Sequence, residues 1–215
     1  MPADKLIELG KTVSRRLRAN PQVQVVEGAG TELFCFQNFL DPLECGGLVA
    51  MIDADRVPST VYATNDDKHF RTSESCNLAR THPFVHAIDA KIDHLLGMKN
   101  RQGESLQGQR YAIGQEFKAH HDWFHVEQPY WQDERKRGGQ RCWTAMIYLD
   151  QPESGGETSF PAAGLMVTPR AGMLLAWNNA SPEGKLNSAT LHASLPVTSG
   201  IKNIVTKWYR ERFWC

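Results

Sequence analysis

The spacing of apolar residues is helical in the first hundred residues of the chain. Residues 3–18 and 83–97 have apolar side chains three and four positions apart, with charged residues between them, which predicts two amphipathic helices. A third helix is predicted to begin at Asp41 and to run to about Asp53. Asp41 can cap this helix, a proline follows it, and Glu44 can reach back as in a capping box.

From residue 106 onward the apolar positions alternate instead, as is typical of β-strands. Before that point we predict a connector over 21–31, a short strand over 32–36 and an extended stretch over 59–64. Strand candidates after it, mostly separated by glycine and proline, lie at 107–113, 116–121, 142–149, 157–160, 165–168, 172–177, 189–194 and 201–210.

Helices followed by many short strands predict a mainly β fold with flanking helices, of the α+β class. The 215 residues are enough for one substantial domain. We therefore predict a single domain over 1–215. Residues 1–100 would form a helical support region with early strands, and 106–212 would form the antiparallel β core.

Two polar stretches interrupt this pattern. Residues 125–140 form the longest predicted loop, and a loop of this length inside a domain is usually a lid, a binding loop or disordered. Its aromatic residues Tyr130 and Trp131 favour a lid or a binding loop. The stretch from Asn178 to Asn187 is also loop-like and is a candidate for the entrance of a site.

Composition and charge argue against several classes of protein. Lys plus Arg and Asp plus Glu both number 24, so nothing in the balance calls for nucleic acid or a membrane surface. The five cysteines are widely spaced and include no CxxC, which disfavours a disulfide framework or a zinc ribbon. No segment has the length and apolarity of a signal peptide or a membrane span, so we expect a cytoplasmic protein.

The candidate chemistry centres on His120-His121-Asp122. On an extended backbone, successive side chains point to opposite faces, so His120 and Asp122 share one face and His121 points away. A histidine and a carboxylate in this arrangement can bind one metal ion. A third ligand from a later strand would complete a face of two histidines and one carboxylate, which suits a non-haem Fe(II) oxygenase.

Two later residues fit this hypothesis. His192 is the only histidine after residue 125, and it lies on a predicted strand. Lys202 follows ten residues later and shares a strand face with Ile204, Thr206 and Trp208. A lysine among apolar neighbours is costly to bury without an anionic partner, and a dicarboxylic cosubstrate would supply one.

Each of these residues also has an ordinary structural interpretation. A His-X-Asp sequence by itself is usually a surface turn, and a single strand histidine is usually a core or surface residue. Lys202 could extend its ammonium group to water at a strand edge. It is their occurrence together, in this order, that favours a metal site.

A longer series of motifs resembles the prolyl 4-hydroxylase group of Fe(II)/2-oxoglutarate dioxygenases. The resemblance covers roughly residues 70–208 in the order found in that family. Its motifs are Phe70-Arg71-Thr72-Ser73, Tyr111-Ala-Ile-Gly114, His120-His121-Asp122, Gly138-Gly139-Gln140-Arg141, Tyr148-Leu149, Gly155-Gly156-Glu157-Thr158-Ser159-Phe160-Pro161, Pro169-Arg170-Ala171-Gly172, Leu191-His192-Ala193, Pro196-Val197, Gly200-Ile-Lys202 and Trp208.

This resemblance implies a double-stranded β-helix, a jelly-roll or cupin-like core braced by helices. It implies that three residues bind Fe(II) and form the catalytic centre: His120, Asp122 and His192. Lys202 would pair with the far carboxylate of 2-oxoglutarate, and Tyr111 and Thr158 would support that carboxylate. O₂ would be the second cosubstrate, and ascorbate is a further candidate ligand.

The resemblance also implies a substrate side, with Arg141 and Trp208 near the substrate and Arg71 in a substrate-side loop. Arg141 has an alternative interpretation as a structural ion-pair residue. Three functions remain open: hydroxylation of prolyl residues in a peptide or protein, the same chemistry on a free amino acid or small metabolite, and a non-catalytic sensor or binding module. We expect no nucleic-acid or membrane partner.

Overall fold

The computed structural model describes residues 3–60 and 69–215. Within these residues the helices are α1 (Ala3–Arg18), α2 (Pro42–Asp55), α3 (Pro83–Leu96) and α4 (Trp131–Lys136). The strands in the same residues are β1 (Val23–Gly28), β2 (Thr31–Phe36), β3 (Val57–Pro58), β4 (Glu74–Asn77), β5 (Gln107–Tyr111), β6 (Phe117–His120), β7 (Arg141–Tyr148), β8 (Ser154–Gly155), β9 (Thr158–Phe160), β10 (Leu165–Val167), β11 (Leu174–Asn178), β12 (His192–Ser194), β13 (Val197–Ser199) and β14 (Lys202–Arg210).

The three helices predicted from the sequence are confirmed. At the start of α2, the Asp41 carboxylate accepts a hydrogen bond from the Glu44 N–H at 2.8 Å, and the Glu44 carboxylate accepts one from the Asp41 N–H at 3.0 Å. This is the predicted capping box. Helix α3 ends at Gly97, whose left-handed backbone (φ 69°) suits a glycine. None of the helices in the described residues is long and apolar enough to cross a membrane.

The larger sheet is antiparallel and has the strand order β1-β2-β11-β7-β14-β5-β4-β3. Its two faces are buried against different partners, as the alternation along the strands requires. On β7, Ala145 and Ile147 belong to the core beneath the helices. The intervening Met146 and Tyr148 belong to a second core on the opposite face.

A smaller antiparallel sheet, in the order β10-β9-β12-β6, contributes Phe160 to this second core. The short pair β13-β8 forms a third, two-stranded sheet. Strands β6 and β12 pair so that His120 lies opposite His192. The pairing of these two strands therefore brings together histidines that are 72 residues apart in the chain.

A group of buried charges joins α3 to β14. The ammonium Nζ of Lys207 lies 2.7 Å from Asp89 Oδ1 and 3.3 Å from Asp93 Oδ1, and all three residues are buried. The Tyr209 hydroxyl donates a hydrogen bond to Asp93 at 2.6 Å. Because Lys207 faces the helices, alternation directs Lys202 and Ile204 to the opposite, inner face of β14.

Three predictions need correction. The connector predicted over 21–31 contains strand β1, which pairs with β2 across a turn where Gly30 has a φ of 76°. Gly28 ends strand β1 and Gly30 lies in the turn, so these glycines do not belong to a structureless connector. In the predicted strand 189–194, only His192–Ser194 is extended, because residues 188–190 form a 3₁₀ turn.

The stretch 125–140 is not a structureless loop, since α4 lies within it. Six residues are too few to show a helical pattern in the sequence, and this helix depends on tertiary contacts. Its buried Glu134 pairs with the buried guanidinium of Arg210 on β14. The extended stretch predicted over 59–64 falls mostly outside the described residues.

Candidate metal centre and active site

The structure brings His120, Asp122 and His192 into one cluster. One ligand atom from each lies within 4.8 Å of the others. The Nε2 atom of His120 is 4.0 Å from Asp122 Oδ1, and the Nε2 atom of His192 is 3.7 Å from Asp122 Oδ2. His121 is outside the cluster and contacts the carbonyl of Ser188 at 3.4 Å. The structure thus groups His120 with Asp122 and leaves His121 outside, as a shared face of residues two apart requires.

Backbone carbonyls orient both imidazoles. The Nδ1 atom of His120 lies 2.8 Å from the Lys118 carbonyl, and the Nδ1 atom of His192 lies 2.9 Å from the Thr190 carbonyl. A carbonyl can only accept, so Nδ1 carries the proton in both rings, and Nε2 is left with its lone pair. Hydrogen bonds of this kind hold metal-binding histidines in other proteins in the same way.

The electrostatics of the cluster favour the protonation states that a metal requires. Burial, followed by the neighbouring His192, lowers the pKa of His120 to about 3. Burial alone would raise the pKa of Asp122, but His192, His120, Arg141 and a hydrogen bond from Trp208 together outweigh it, and the pKa is lowered. Neutral histidine and ionised aspartate are the forms that ligate metal ions. Two histidines and one carboxylate on one cavity wall fit Fe(II).

A chain of hydrogen bonds fixes the carboxylate of Asp122. The hydroxyl of Thr144, on β7, donates to Asp122 Oδ2 at 2.9 Å, and Nδ2 of Asn179, just after β11, donates to Thr144 Oγ1 at 2.9 Å. Both residues are completely buried. Sequence reasoning missed them, because their connection to Asp122 exists only once the two strands lie beside it.

Lys202 lies in a small cavity beside the cluster. Its side chain is 0% exposed, and its Nζ donates to the hydroxyl of Ser194 at 2.7 Å. The rings of Tyr111 and Tyr148 lie 5.1 and 5.6 Å from the ammonium. Among the described residues no carboxylate lies within 4.0 Å of it. Burial lowers the pKa of Lys202 to about 7, against the weaker opposing effects of Glu157 and Asp150.

The two residues predicted to support a carboxylate line the same small cavity. The hydroxyl of Tyr111 donates to Gln109 Oε1 at 2.8 Å, and Thr158 Oγ1 accepts from the hydroxyl of Tyr148 at 2.6 Å. Ser194, which accepts the hydrogen bond from Lys202, was not among the predicted site residues. The alternation of side chains along a strand could have identified Ser194, because this residue lies two positions after His192 on the same strand face.

An outer cleft of about 580 Å³ opens onto the cluster. It is lined by the three residues predicted for the substrate side: Arg71, Arg141 and Trp208. Arg141 makes a two-pronged ion pair with Glu104, at 2.7 and 2.8 Å, and its guanidinium lies 4.0 Å from the centre of the Trp208 ring. Some of the N–H donors of Arg141 are therefore already hydrogen-bonded to Glu104.

Arg71 lines the same cleft. Its guanidinium donates to Gln107 Oε1 at 2.9 Å and lies 4.8 Å from the centre of the Phe117 ring. Phe117 in turn stacks on the imidazole of His120, with ring centres 3.6 Å apart. One cleft is therefore lined both by the two arginines and by residues of the metal cluster.

Comparison with known proteins identifies the class that this fold and site define. Residues 106–210 match the family model described as the 2OG-Fe(II) oxygenase superfamily. Probable prolyl 4-hydroxylase 3 of Arabidopsis thaliana is 33% identical over 199 residues, 81% of this chain and 68% of that protein. Prolyl 4-hydroxylase 5 of the same plant is 32% identical over 198 residues, 81% of this chain and 66% of its own length. The chain spans about two thirds of these relatives.

A solved structure agrees with these sequence matches. The 2OG complex of the viral collagen prolyl hydroxylase from Paramecium bursaria Chlorella virus-1 is similar with a TM-score of 0.63 and 28% identity, covering 89% of this chain and 96% of that one. The chain belongs to the 2OG-Fe(II) oxygenase superfamily and is prolyl 4-hydroxylase-like. The predicted family, the double-stranded β-helix and the use of Fe(II) and 2-oxoglutarate are confirmed.

Proposed function

We propose that this protein hydroxylates prolyl residues of a peptide or protein. The observation that carries the proposal is the buried ammonium of Lys202, which faces a cavity beside a complete set of iron ligands. A buried cation without a carboxylate partner is costly unless a ligand supplies the missing charge. The far carboxylate of 2-oxoglutarate is that ligand, and a sensor without turnover would have no need of both features.

In this proposal His120, Asp122 and His192 hold the iron through two Nε2 atoms and one carboxylate oxygen. When bound, iron and 2-oxoglutarate activate O₂ and supply an oxidant that can attack an unreactive C–H bond. Lys202 anchors the cosubstrate, and the hydroxyls of Tyr111 and Thr158 support the same carboxylate. Ascorbate would serve as the external reductant.

The outer cleft supports a peptide substrate over a free amino acid. Its volume of about 580 Å³ is much larger than one amino acid requires and lies within the usual range for ligand pockets. Several aromatic residues, among them Phe124, Tyr130 and Trp208, line it. Extended proline-containing segments bind well to aromatic-lined grooves. Arg71 and Arg141 would face the carbonyl groups of such a segment.

Mass spectrometry can test this function directly. The protein would be incubated with Fe(II), 2-oxoglutarate and ascorbate, together with proline-containing peptides or with free amino acids. We expect a mass increase of one oxygen on proline within peptides, coupled to succinate formation. Oxygen addition only to free amino acids would replace the peptide proposal with the small-substrate alternative. Absence of succinate under all conditions would refute catalysis altogether.

A further inference from the structure

The residues that follow the last strand bring one side chain, that of Trp214, to the outer cleft. We call Glu211–Cys215 the C-terminal segment. Three of its N–H groups donate to carbonyls of the preceding loop: Glu211 to Gln140 at 2.9 Å, Arg212 to Gly138 at 3.1 Å and Cys215 to Arg137 at 3.3 Å. The segment therefore lies against residues 137–140, immediately before strand β7.

The glycine pair in that loop permits this close approach. Gly139 has a φ of 77°, and a Cβ atom there would collide with the side chain of Glu211. A Cβ at Gly138 would lie 3.3 Å from the Cα of Trp214. Glycine is the residue that tolerates both the positive φ and the short distance. The two glycines of the adjoining loop thus allow the C-terminal segment to pack in this position.

Trp214 is the member of this segment that lines the cleft. The same cavity is lined by Trp208 and by the iron-ligand residues His120 and Asp122. The N–H of Trp214 donates to the carbonyl of Arg101 at 2.6 Å, and the guanidinium of Arg80 lies 5.5 Å from its ring centre. Its side chain is only partly buried, so part of the indole remains available for a ligand.

We propose that Trp214 forms a second subsite of the cleft, which receives the prolyl ring or aliphatic side chain of a residue flanking the hydroxylated proline. This inference rests on the proposed function. An indole held in place offers a large apolar face at little cost in conformational entropy. Trp214 lies beyond residue 210, where the match to the superfamily model ends.

Kinetics with paired peptides test this subsite. One peptide series would carry proline on either side of a single target proline, and its partner series would carry glycine there. The measured quantity is kcat/KM for the proline-flanked peptide divided by kcat/KM for the glycine-flanked peptide. We expect Trp214→Ala to lower this ratio by about three- to tenfold, because one aromatic contact is lost. Trp214→Phe should restore most of the ratio, because it keeps an apolar ring.

Phe213→Ala provides a matched control in the same segment. Phe213 is 47% exposed, its ring contacts Arg101 at 4.7 Å, and it is not among the described residues that line the cleft. The Phe213→Ala substitution should leave the ratio of kcat/KM between the two peptide series unchanged. Fluorescence anisotropy of a labelled peptide on the Mn(II)-loaded protein should show the same order of affinities, independently of turnover.

The outcomes separate the subsite from the function on which it rests. If the unmodified protein hydroxylates peptides but Trp214→Ala leaves the ratio unchanged, or lowers kcat/KM equally for both series, the subsite is refuted and the function stands. An equal loss with Phe213→Ala would also refute the subsite and indicate a general effect on the segment. If the unmodified protein hydroxylates no prolyl peptide, the proposed function fails, and the subsite fails with it.

Discussion

Replacing Lys202 with methionine should have opposite effects on stability and on cosubstrate affinity. Lys202 is completely buried and has only the hydroxyl of Ser194 as a hydrogen-bond acceptor among the described residues. Burial lowers its pKa from 10.5 to about 7. At 1.36 kcal/mol per pKa unit, holding the charged form of this buried lysine without an anionic partner costs on the order of 4–5 kcal/mol below pH 7.

Methionine has a similar length and no charge, so it removes this cost. We therefore expect Lys202→Met without 2-oxoglutarate to melt at a higher temperature than the unmodified protein at pH 6. The same change removes the partner of the far carboxylate. We expect 2-oxoglutarate affinity to fall by roughly 3–5 kcal/mol, which corresponds to a factor of about a hundred or more in Kd.

The pH dependence of binding follows from the direction of the same shift. A bound carboxylate favours the charged lysine and raises its pKa, so binding takes up protons. Affinity for 2-oxoglutarate should be constant below the pKa of the free protein, about 7, and should fall as the pH rises above it. The decline should stop above the pKa that Lys202 has in the complex.

Calorimetric titration of 2-oxoglutarate into the Mn(II)-loaded protein measures these affinities without turnover. The matched control is Lys185→Met, which removes a lysine from an exposed loop position. The Lys185→Met substitution should change neither the melting temperature nor the affinity for 2-oxoglutarate. An unchanged 2-oxoglutarate affinity in Lys202→Met, with normal metal binding, would refute the assignment of this residue. A large loss of stability at pH 6 would refute the argument about its uncompensated charge.

Three further predictions concern the metal centre and the substrate side. His120→Ala should abolish metal binding, measured by titration with Mn(II), whereas His121→Ala should retain it; the reverse result would contradict the strand register. Thr144→Val should weaken metal affinity several-fold by releasing the carboxylate, and Thr144→Ser should restore it, so an equal loss in both would indicate a packing effect. Arg141→Ala should lower peptide hydroxylation far more than uncoupled succinate formation. A parallel loss of both reactions and of the melting temperature would instead make Arg141 a structural ion-pair residue.

Local rules were sufficient for many elements of this fold. The capping box at Asp41 and Glu44 depends on four consecutive residues, and it formed as predicted. The two-residue period of an extended backbone predicted a shared face for His120 and Asp122, and the structure groups them although strand β6 ends at His120. The alternation along β14 likewise placed Lys202 on the inner face with Ile204. Each of these inferences needed only neighbouring residues.

Other elements could not be predicted because their stability comes from distant partners. Helix α4 is too short to stand alone, and its Glu134 is paired with Arg210, 76 residues away. The strand β1 owes its form to pairing with β2 and to packing beneath α1, not to a strong pattern of its own. A short segment with weak local preference adopts the structure that its neighbours impose.

The active site likewise has features that follow from the sequence and features that depend on tertiary packing. The sequence by itself was enough to select His120, Asp122 and His192 as candidate metal ligands and Lys202 as a candidate partner of an anion, because the chemistry of two histidines, a carboxylate and an ammonium is recognisable from residue type and order. Only the tertiary structure decided what surrounds them: the hydrogen bond from Thr144 to Asp122, the hydrogen bond from Asn179 to Thr144, and the position of Trp214 at the cleft. These contacts join residues whose separation in the chain carries no periodic signal, so they arise only when the strands are packed together.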